Sequence, residues 1–261
     1  MIMNKNLNYF KYSQNSINTY KSCPLKFKYK YIERINWKHD DIESREYYDS
    51  LKFGTEFHLL CERYFSNIPL GITSSTNPKF VKWIEKVKKL VSIEDKFIYL
   101  PEYEVRYNLN NTTLIAKYDL VVIKENTIEI WDWKTENKKV DYKNAESRMQ
   151  TIVYMFLAKE VIPKLFDINI DTKNIKMKYY QPEFDEEGVS ISYSGEKHNI
   201  NKDTIVSYID KIQNTKYEEE QESYKYDLVK DKKHCKYCEF NKLCNNQEID
   251  YSAFEEEFYG C

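Results

Sequence analysis

The segment KYDLVVIKENTIEIWDWKTEN, residues 117–137, constrains this chain more than any other. Two runs rich in β-branched and aromatic residues flank a turn-like Glu125–Asn126, which predicts an antiparallel hairpin. A symmetric turn there makes paired residue numbers sum to 251, so Asp119 stands opposite Asp132. Directly opposed side chains have Cβ atoms roughly 4.5–5.5 Å apart, and like charges so placed destabilise the pair. A cation between them removes the penalty, and an oxygen-rich pair suits Mg²⁺ or Mn²⁺. Lys134 follows Asp132 by two residues and returns to the same face. Its ammonium is placed to orient or help deprotonate a metal-bound water and to stabilise developing negative charge. Ile115, Val121, Ile123, Ile128 and Ile130 share that face, so the charges are covered and need partners. The plain alternative is a surface hairpin with solvated charges. Trp131 and Trp133 take the other face, where packing accounts for them.

The hairpin belongs to a longer meander, with strands predicted over 101–109, 112–123 and 127–134. Before it, residues 13–34 read as a helical segment divided at Pro24, and helices are predicted over 52–66 and 78–91. After it come a long helix over 142–161, strands near 174–181 and 188–193, and a helix near 202–215. The expected fold class is therefore α/β (α+β), a mixed sheet carrying an antiparallel meander and flanked by helices. With 5 glycines, 6 prolines and no low-complexity linker, residues 1–261 read as a single domain. No stretch approaches the ~20 apolar residues that span a bilayer. The N-terminal residues lack a secretory signal, so a cytoplasmic location without membrane contact is expected.

Two helices add polar pairs at i, i+4 spacing: His58 with Glu62, and Gln150 with Tyr154. His58 is a candidate metal ligand, although a lone helical histidine is more often structural. Gln150 and Tyr154, taken alone, are an ordinary helix flank. From the residues alone, the hairpin and these neighbours amount to a metal-assisted hydrolysis site.

Six cysteines in a chain of this kind argue against a disulfide framework. Cys235, Cys238 and Cys244 form a C-x2-C-x5-C array, a strong ligand signal. Cys23, Cys61 and Cys261 are all available as a fourth ligand, and zinc competes with an iron–sulfur cluster. Structural zinc sites usually pair two short knuckles, and here the fourth ligand is remote. A net charge of −2 gives no bulk attraction to nucleic acid, but residues 21–38 carry six basic side chains against Glu33 alone. Acidic runs stand at 218–222 and 255–257.

Taken in order, CPLKF, GTEFH with Glu62 four residues beyond the histidine, Asp119, Asp132-x-Lys134 and Gln150-x-x-x-Tyr154 carry a resemblance. The chain from Ser13 to Cys244 resembles the RecB-type branch of the PD-(D/E)XK nuclease superfamily. The resemblance implies a restriction-endonuclease-like core in which His58, Asp119 and Asp132 bind metal and Lys134 is the catalytic lysine. It implies that Gln150 and Tyr154 line the site or contact DNA. It further implies a [4Fe–4S] cluster on Cys23, Cys235, Cys238 and Cys244, joining segment 13–34 to segment 235–244. The expected substrate is DNA, single-stranded, and the expected partner is a helicase or a CRISPR-adaptation protein. One departure is visible: Ala116 stands where the family usually has glycine three residues before the first Asp. The rival function is a non-catalytic, iron–sulfur-stapled module that binds DNA or docks a partner.

Overall fold

The computed structural model describes residues 7, 9–36, 42–184, 187–217, 229, 232, 235 and 238–245, with backbone alone over 42–50. In chain order the elements are β1 (Lys11–Tyr12), α1 (Gln14–Ser22), α2 (Pro24–Phe27), α3 (Ile42–Phe65) and α4 (Pro78–Leu90). Then come β2 (Ile98–Leu109), β3 (Thr112–Lys124), β4 (Thr127–Trp133), α5 (Tyr142–Ser147) and α6 (Met149–Leu165). The last are β5 (Ile175–Tyr180), β6 (Val189–Ser192), α7 (Gly195–Asn214) and α8 (Asn241–Asn245). The fold is the expected mixed α/β type. Contacts divide the chain into two compact units, the first comprising 1–47, 108–115 and 202–261, the second 48–107 and 116–201.

In the second unit the hairpin has the register read from the sequence. Leu120 pairs with Trp131, Val121 with Ile130, and so on to Lys124 with Thr127. Strand β4 then runs parallel to β5, with Asp132 beside Tyr179, and β5 runs antiparallel to β6. A parallel neighbour requires a crossover, and α5 and α6 supply it between β4 and β5. Helices α3 and α4 cover one face, where Phe57, Leu60, Cys61, Phe65, Trp83 and Val87 pack with Leu120, Val122, Trp131 and Trp133. The α6 helix packs on β4 and β5. Strand alternation thus sends Trp131 and Trp133 towards α3 and leaves Asp132 facing α6.

The first unit holds the N-terminal helices. Ser13 caps α1 through a reciprocal pair of hydrogen bonds with Ser16, and Pro24 takes the first turn of α2. Lys28–Ile32 continues as a π-helix. Phe10, Phe27 and Tyr31 form an aromatic cluster, and β1 pairs in parallel with Thr113 and Leu114.

Several elements depart from expectation. The two-residue β1 is too short for a periodic signal. Helix α3 begins at Ile42 rather than 52, and α7 begins at Gly195 rather than 202, its first turn capped by the Ser194 hydroxyl accepting from the Lys197 amide. The helix expected over 142–161 is broken in two. Arg148 is extended there (φ −61°, ψ 138°), ending α5 and starting α6. Gly188 has φ 78° and lies against the Tyr179 carbonyl, where a Cβ would come within 2.5 Å.

Candidate active site

The site lies wholly in the second unit, at the end of the β3–β4 hairpin away from its turn. The recorded ladder stops at Leu120–Trp131, and one step beyond it the Asp119 carboxylate takes over the pairing. Its Oδ2 accepts from the Trp133 backbone N–H at 2.8 Å. The same oxygen lies 3.4 Å from His58 Nδ1, while His58 Nε2 lies 2.9 Å from the Trp133 carbonyl oxygen. His58 reaches this point because Phe57 and Cys61, on the adjoining stripe of α3, are buried against the sheet. Gly54, one turn earlier, allows the close approach: a Cβ there would lie 3.1 Å from the Thr135 hydroxyl oxygen.

A third group joins them. His58, Glu102 and Asp119 offer ligand atoms all within 4.8 Å of one another, the one such set among the described residues. Glu102 sits near the start of β2 with φ 49°, a left-handed conformation uncommon for a residue with a Cβ. Such strain is concentrated at functional sites. Its Oε2 is 2.6 Å from Lys117 Nζ. Two carboxylates and an imidazole fit a hard divalent cation such as Mg²⁺ or Mn²⁺. Burial disfavours the His58 cation, but the charge and hydrogen bond of Asp119, with Asp132, outweigh it and lift its pKa to about 9. Metal ligation therefore requires loss of a proton from that ring.

Asp132 is 2% exposed and has a different set of partners. Gln150 Nε2 donates to its Oδ1 at 2.5 Å, and Lys134 Nζ forms an ion pair with its Oδ2 at 2.8 Å. Lys134 also donates to Gln150 Oε1 at 3.3 Å, so one amide bridges the acid and the base. Burial raises the Asp132 pKa, Lys134 opposes that and Asp119 adds to it. Burial alone would lower the Lys134 pKa, but Asp132 and Glu136 raise it, so the side chain is held as an ammonium. The Lys134 backbone is fixed as well, its N–H donating to the Tyr180 carbonyl at 2.9 Å.

Tyr154 is buried, and its hydroxyl donates to the Lys117 carbonyl at 2.6 Å, two residues before Asp119. Glu62 is absent from the ligand set. Sequence reading missed Glu102, whose reach depends on a backbone conformation that no residue pattern announces. It also missed Gln181, 1% exposed, whose Oε1 accepts from Val140 N–H at 2.7 Å while its Nε2 donates to the Lys138 carbonyl at 2.8 Å. Gln181 thereby ties down the segment that follows Lys134.

The opposite face of the sheet carries a cavity of about 490 Å³ lined by Lys124, Glu129, Trp131 and Lys178. Glu129 bridges the two lysines at 3.1 Å each, and Lys178 lies 4.4 Å from the Trp131 ring centre. This cavity holds an ion-pair network, not facing carboxylates.

The cysteines separate clearly. Cys61 is 1% exposed in the core of the second unit. Cys23, Cys238 and Cys244 instead pack in the first unit around Leu25, Tyr29 and Phe240, and Cys235 lies near enough to Cys23 to add to the rise of its thiol pKa, which burial dominates. Cys23 Sγ accepts from the Lys26 amide at 3.4 Å. Burial pushes the Cys238 thiol up to about 12. The four thiols share one neighbourhood without forming a ligand set as tight as the carboxylate site. Lys26 and Lys30 both pair with Glu239, between Cys238 and Phe240. Cys261 lies outside the described residues, as do the acidic runs at 218–222 and 255–257.

No helix among the described residues is long and apolar enough to cross a membrane. The family model of the PD-(D/E)XK nuclease superfamily matches residues 11–97 and 76–245. A crystal structure of a candidate exonuclease from Eubacterium rectale superposes with a TM-score of 0.54 at 12% identity, covering 94% of this chain and 90% of that one. At that identity the likeness concerns the fold alone. The structure of SSO0001 is similar over 95% of this chain and 90% of its own, at 13% identity and a TM-score of 0.36. Comparison with the curated proteins gives no match.

Proposed function

Because the chain belongs to the PD-(D/E)XK nuclease superfamily, we propose that it is a metal-dependent deoxyribonuclease of the RecB-type branch. It hydrolyses phosphodiester bonds of single-stranded DNA, as an exonuclease serving recombination, repair or CRISPR adaptation. The observation that carries the reading is the adjacency of two arrangements: the His58, Glu102 and Asp119 ligand set, and the buried Asp132–Lys134 pair bridged by Gln150. A pair so buried is weak evidence for stability and better evidence for a specific task.

His58, Glu102, Asp119 and Asp132 would hold the cation. When bound, a divalent cation supplies Lewis acidity towards a phosphate oxygen and lowers the pKa of its water. The chain's own groups do the rest. An ammonium has three donors; Gln150 accepts from Lys134 and Asp132 holds its charge at 2.8 Å, which leaves donor capacity to orient a water or a phosphate oxygen. Held protonated, Lys134 acts by its charge and its hydrogen bonds rather than as a base. Asp119 fixes the Trp133 amide and so aligns the strand that carries Asp132 and Lys134.

Cys23, Cys235, Cys238 and Cys244 would hold a [4Fe–4S] cluster, whose chemistry in this place is that of a cross-link. The shared apolar neighbourhood of Cys23, Cys238 and Cys244 supports this, as does the burial of Cys61 in the other unit's core, which disfavours it as the fourth ligand. A helicase or a CRISPR-adaptation protein is the partner that would present the strand.

Asp119→Ala separates this reading from a binding module. Hydrolysis of single-stranded DNA should collapse while DNA binding survives. Cleavage unchanged by the substitution would exclude the metal site described above.

A further inference from the structure

The residue that breaks the predicted helix stands at the rim of this site. Arg148 is the extended link between α5 and α6, two positions before Gln150. Its backbone is pinned on both sides: its N–H reaches the Ala145 carbonyl at 3.4 Å, and its own carbonyl accepts from Ile152 at 3.1 Å. The guanidinium carbon lies 5.5 Å from the centre of the Tyr179 ring. Lys134 Nζ lies 5.7 Å from the centre of that same ring, and Tyr179 is the strand neighbour of Asp132. The ring is itself immobilised, 1% exposed, with its hydroxyl 2.7 Å from Thr151 Oγ1. Two cations therefore flank one buried aromatic ring beside the catalytic carboxylate.

They differ in what they are paired with. Lys134 is engaged by Asp132 and Gln150. No carboxylate among the described residues comes within ion-pair distance of Arg148. Its charge is felt at Asp141, but that carboxylate is occupied in capping α5 through both hydrogen bonds to Asn144. A guanidinium held by a ring face keeps its in-plane N–H donors free, and those donors match the geometry of a phosphate.

Resting on the nuclease reading above, we propose that Arg148 grips a backbone phosphate of the DNA strand next to the one being cleaved. It is a substrate-positioning residue: it sets the strand's register while Lys134 serves the scissile group. This role explains why α5 and α6 are separated at a position where the residue pattern continues one helix. An arginine inside an unbroken helix would project along the helix flank, whereas the extended link turns it over Tyr179.

The test uses the intact protein and a 5′-fluorescein-labelled single-stranded oligothymidylate. Arg148→Ala is expected to lower kcat/KM about 10–100-fold, with Arg148→Lys recovering part of the loss. Equilibrium binding without metal should lose about 0.7 from the slope of log K against log salt, the share of one phosphate contact on a single strand. A neutral methylphosphonate walked along the strand adds a readout that a structural role would not move. At one position beside the cleaved bond it should slow the wild type and leave Arg148→Ala unaffected. If the wild type cleaves and Arg148→Ala matches it in rate, salt slope and methylphosphonate profile, the assignment of Arg148 is overturned and the nuclease reading stands. If the folded wild type neither binds nor cleaves DNA with Mg²⁺ or Mn²⁺, the nuclease reading falls and this proposal with it.

Discussion

Asp119 accepts a hydrogen bond from the Trp133 amide at 2.8 Å, on the peptide that joins Asp132 to the residue before Lys134. The contact makes one carboxylate both a proposed metal ligand and a strand clamp, and the two roles separate by substitution. In Asp119→Asn the amide oxygen can still accept from Trp133, but the charge is gone. Cleavage should fall at least about 100-fold, with the thermal midpoint little changed. A large fall in thermal midpoint, measured by circular dichroism, would show that the charge and not the hydrogen bond secures the strand.

Lys134 and Asp132 form a pair of which neither member is tolerated alone. Lys134→Ala leaves a carboxylate of 2% exposure without its cation, a change that typically costs about 3–5 kcal/mol. The double substitution Asp132→Asn with Lys134→Ala should recover much of that stability while remaining inactive. Urea unfolding of the two single variants and the double measures the coupling directly.

Glu102 tests whether the site extends beyond the hairpin. Asparagine accepts a left-handed φ better than glutamate but is too short to take the same position. Its loss also removes an ion pair to a Lys117 side chain that is 57% exposed, a contact of small worth. Glu102→Asn should therefore leave stability nearly unchanged and weaken Mn²⁺ binding roughly 10-fold or more, read by calorimetry.

Glu129 gives a pH dependence on the far side of the sheet. Burial alone would raise its pKa, but Lys178 and Lys124 outweigh it and hold it below the ordinary carboxylate value. The folded state thus binds the proton less readily than the unfolded chain. The stabilisation is complete above the unfolded pKa of about 4.3 and is lost as pH falls through the lower folded value. Glu129→Gln should show a shallower decline in stability than the wild type below about pH 4.5, and a lower plateau at neutral pH. Parallel acid limbs in urea titrations would contradict the assignment.

Much of this site could be read from residue order. The hairpin register followed from one turn position, because a two-strand ladder with a fixed turn leaves no freedom in pairing. Strand alternation then placed Lys134 against Asp132, and helical spacing placed His58 beside a buried stripe. What escaped was set by backbone conformations that local pattern does not encode. Glu102 turns inward through a positive φ, Arg148 interrupts an apolar periodicity that continues past it, and Gln181 acts through backbone groups forty residues away. Residue spacing alone does not tell Cys23 from Cys61, since both are single cysteines remote from the C-terminal three; tertiary packing puts Cys61 in the core of the second unit and Cys23 beside Cys238 and Cys244.

In the proposed function the hairpin carboxylates and Lys134 constitute a metal-dependent DNA-cleaving centre. The most direct measurement is cleavage of end-labelled single-stranded DNA by anaerobically purified protein, with Mg²⁺, with Mn²⁺ and with chelator, beside an Asp132→Ala control. Product should form only with metal, and none should come from the control. Product that persists in the control, or no product from folded wild type with either metal, would contradict the proposed function.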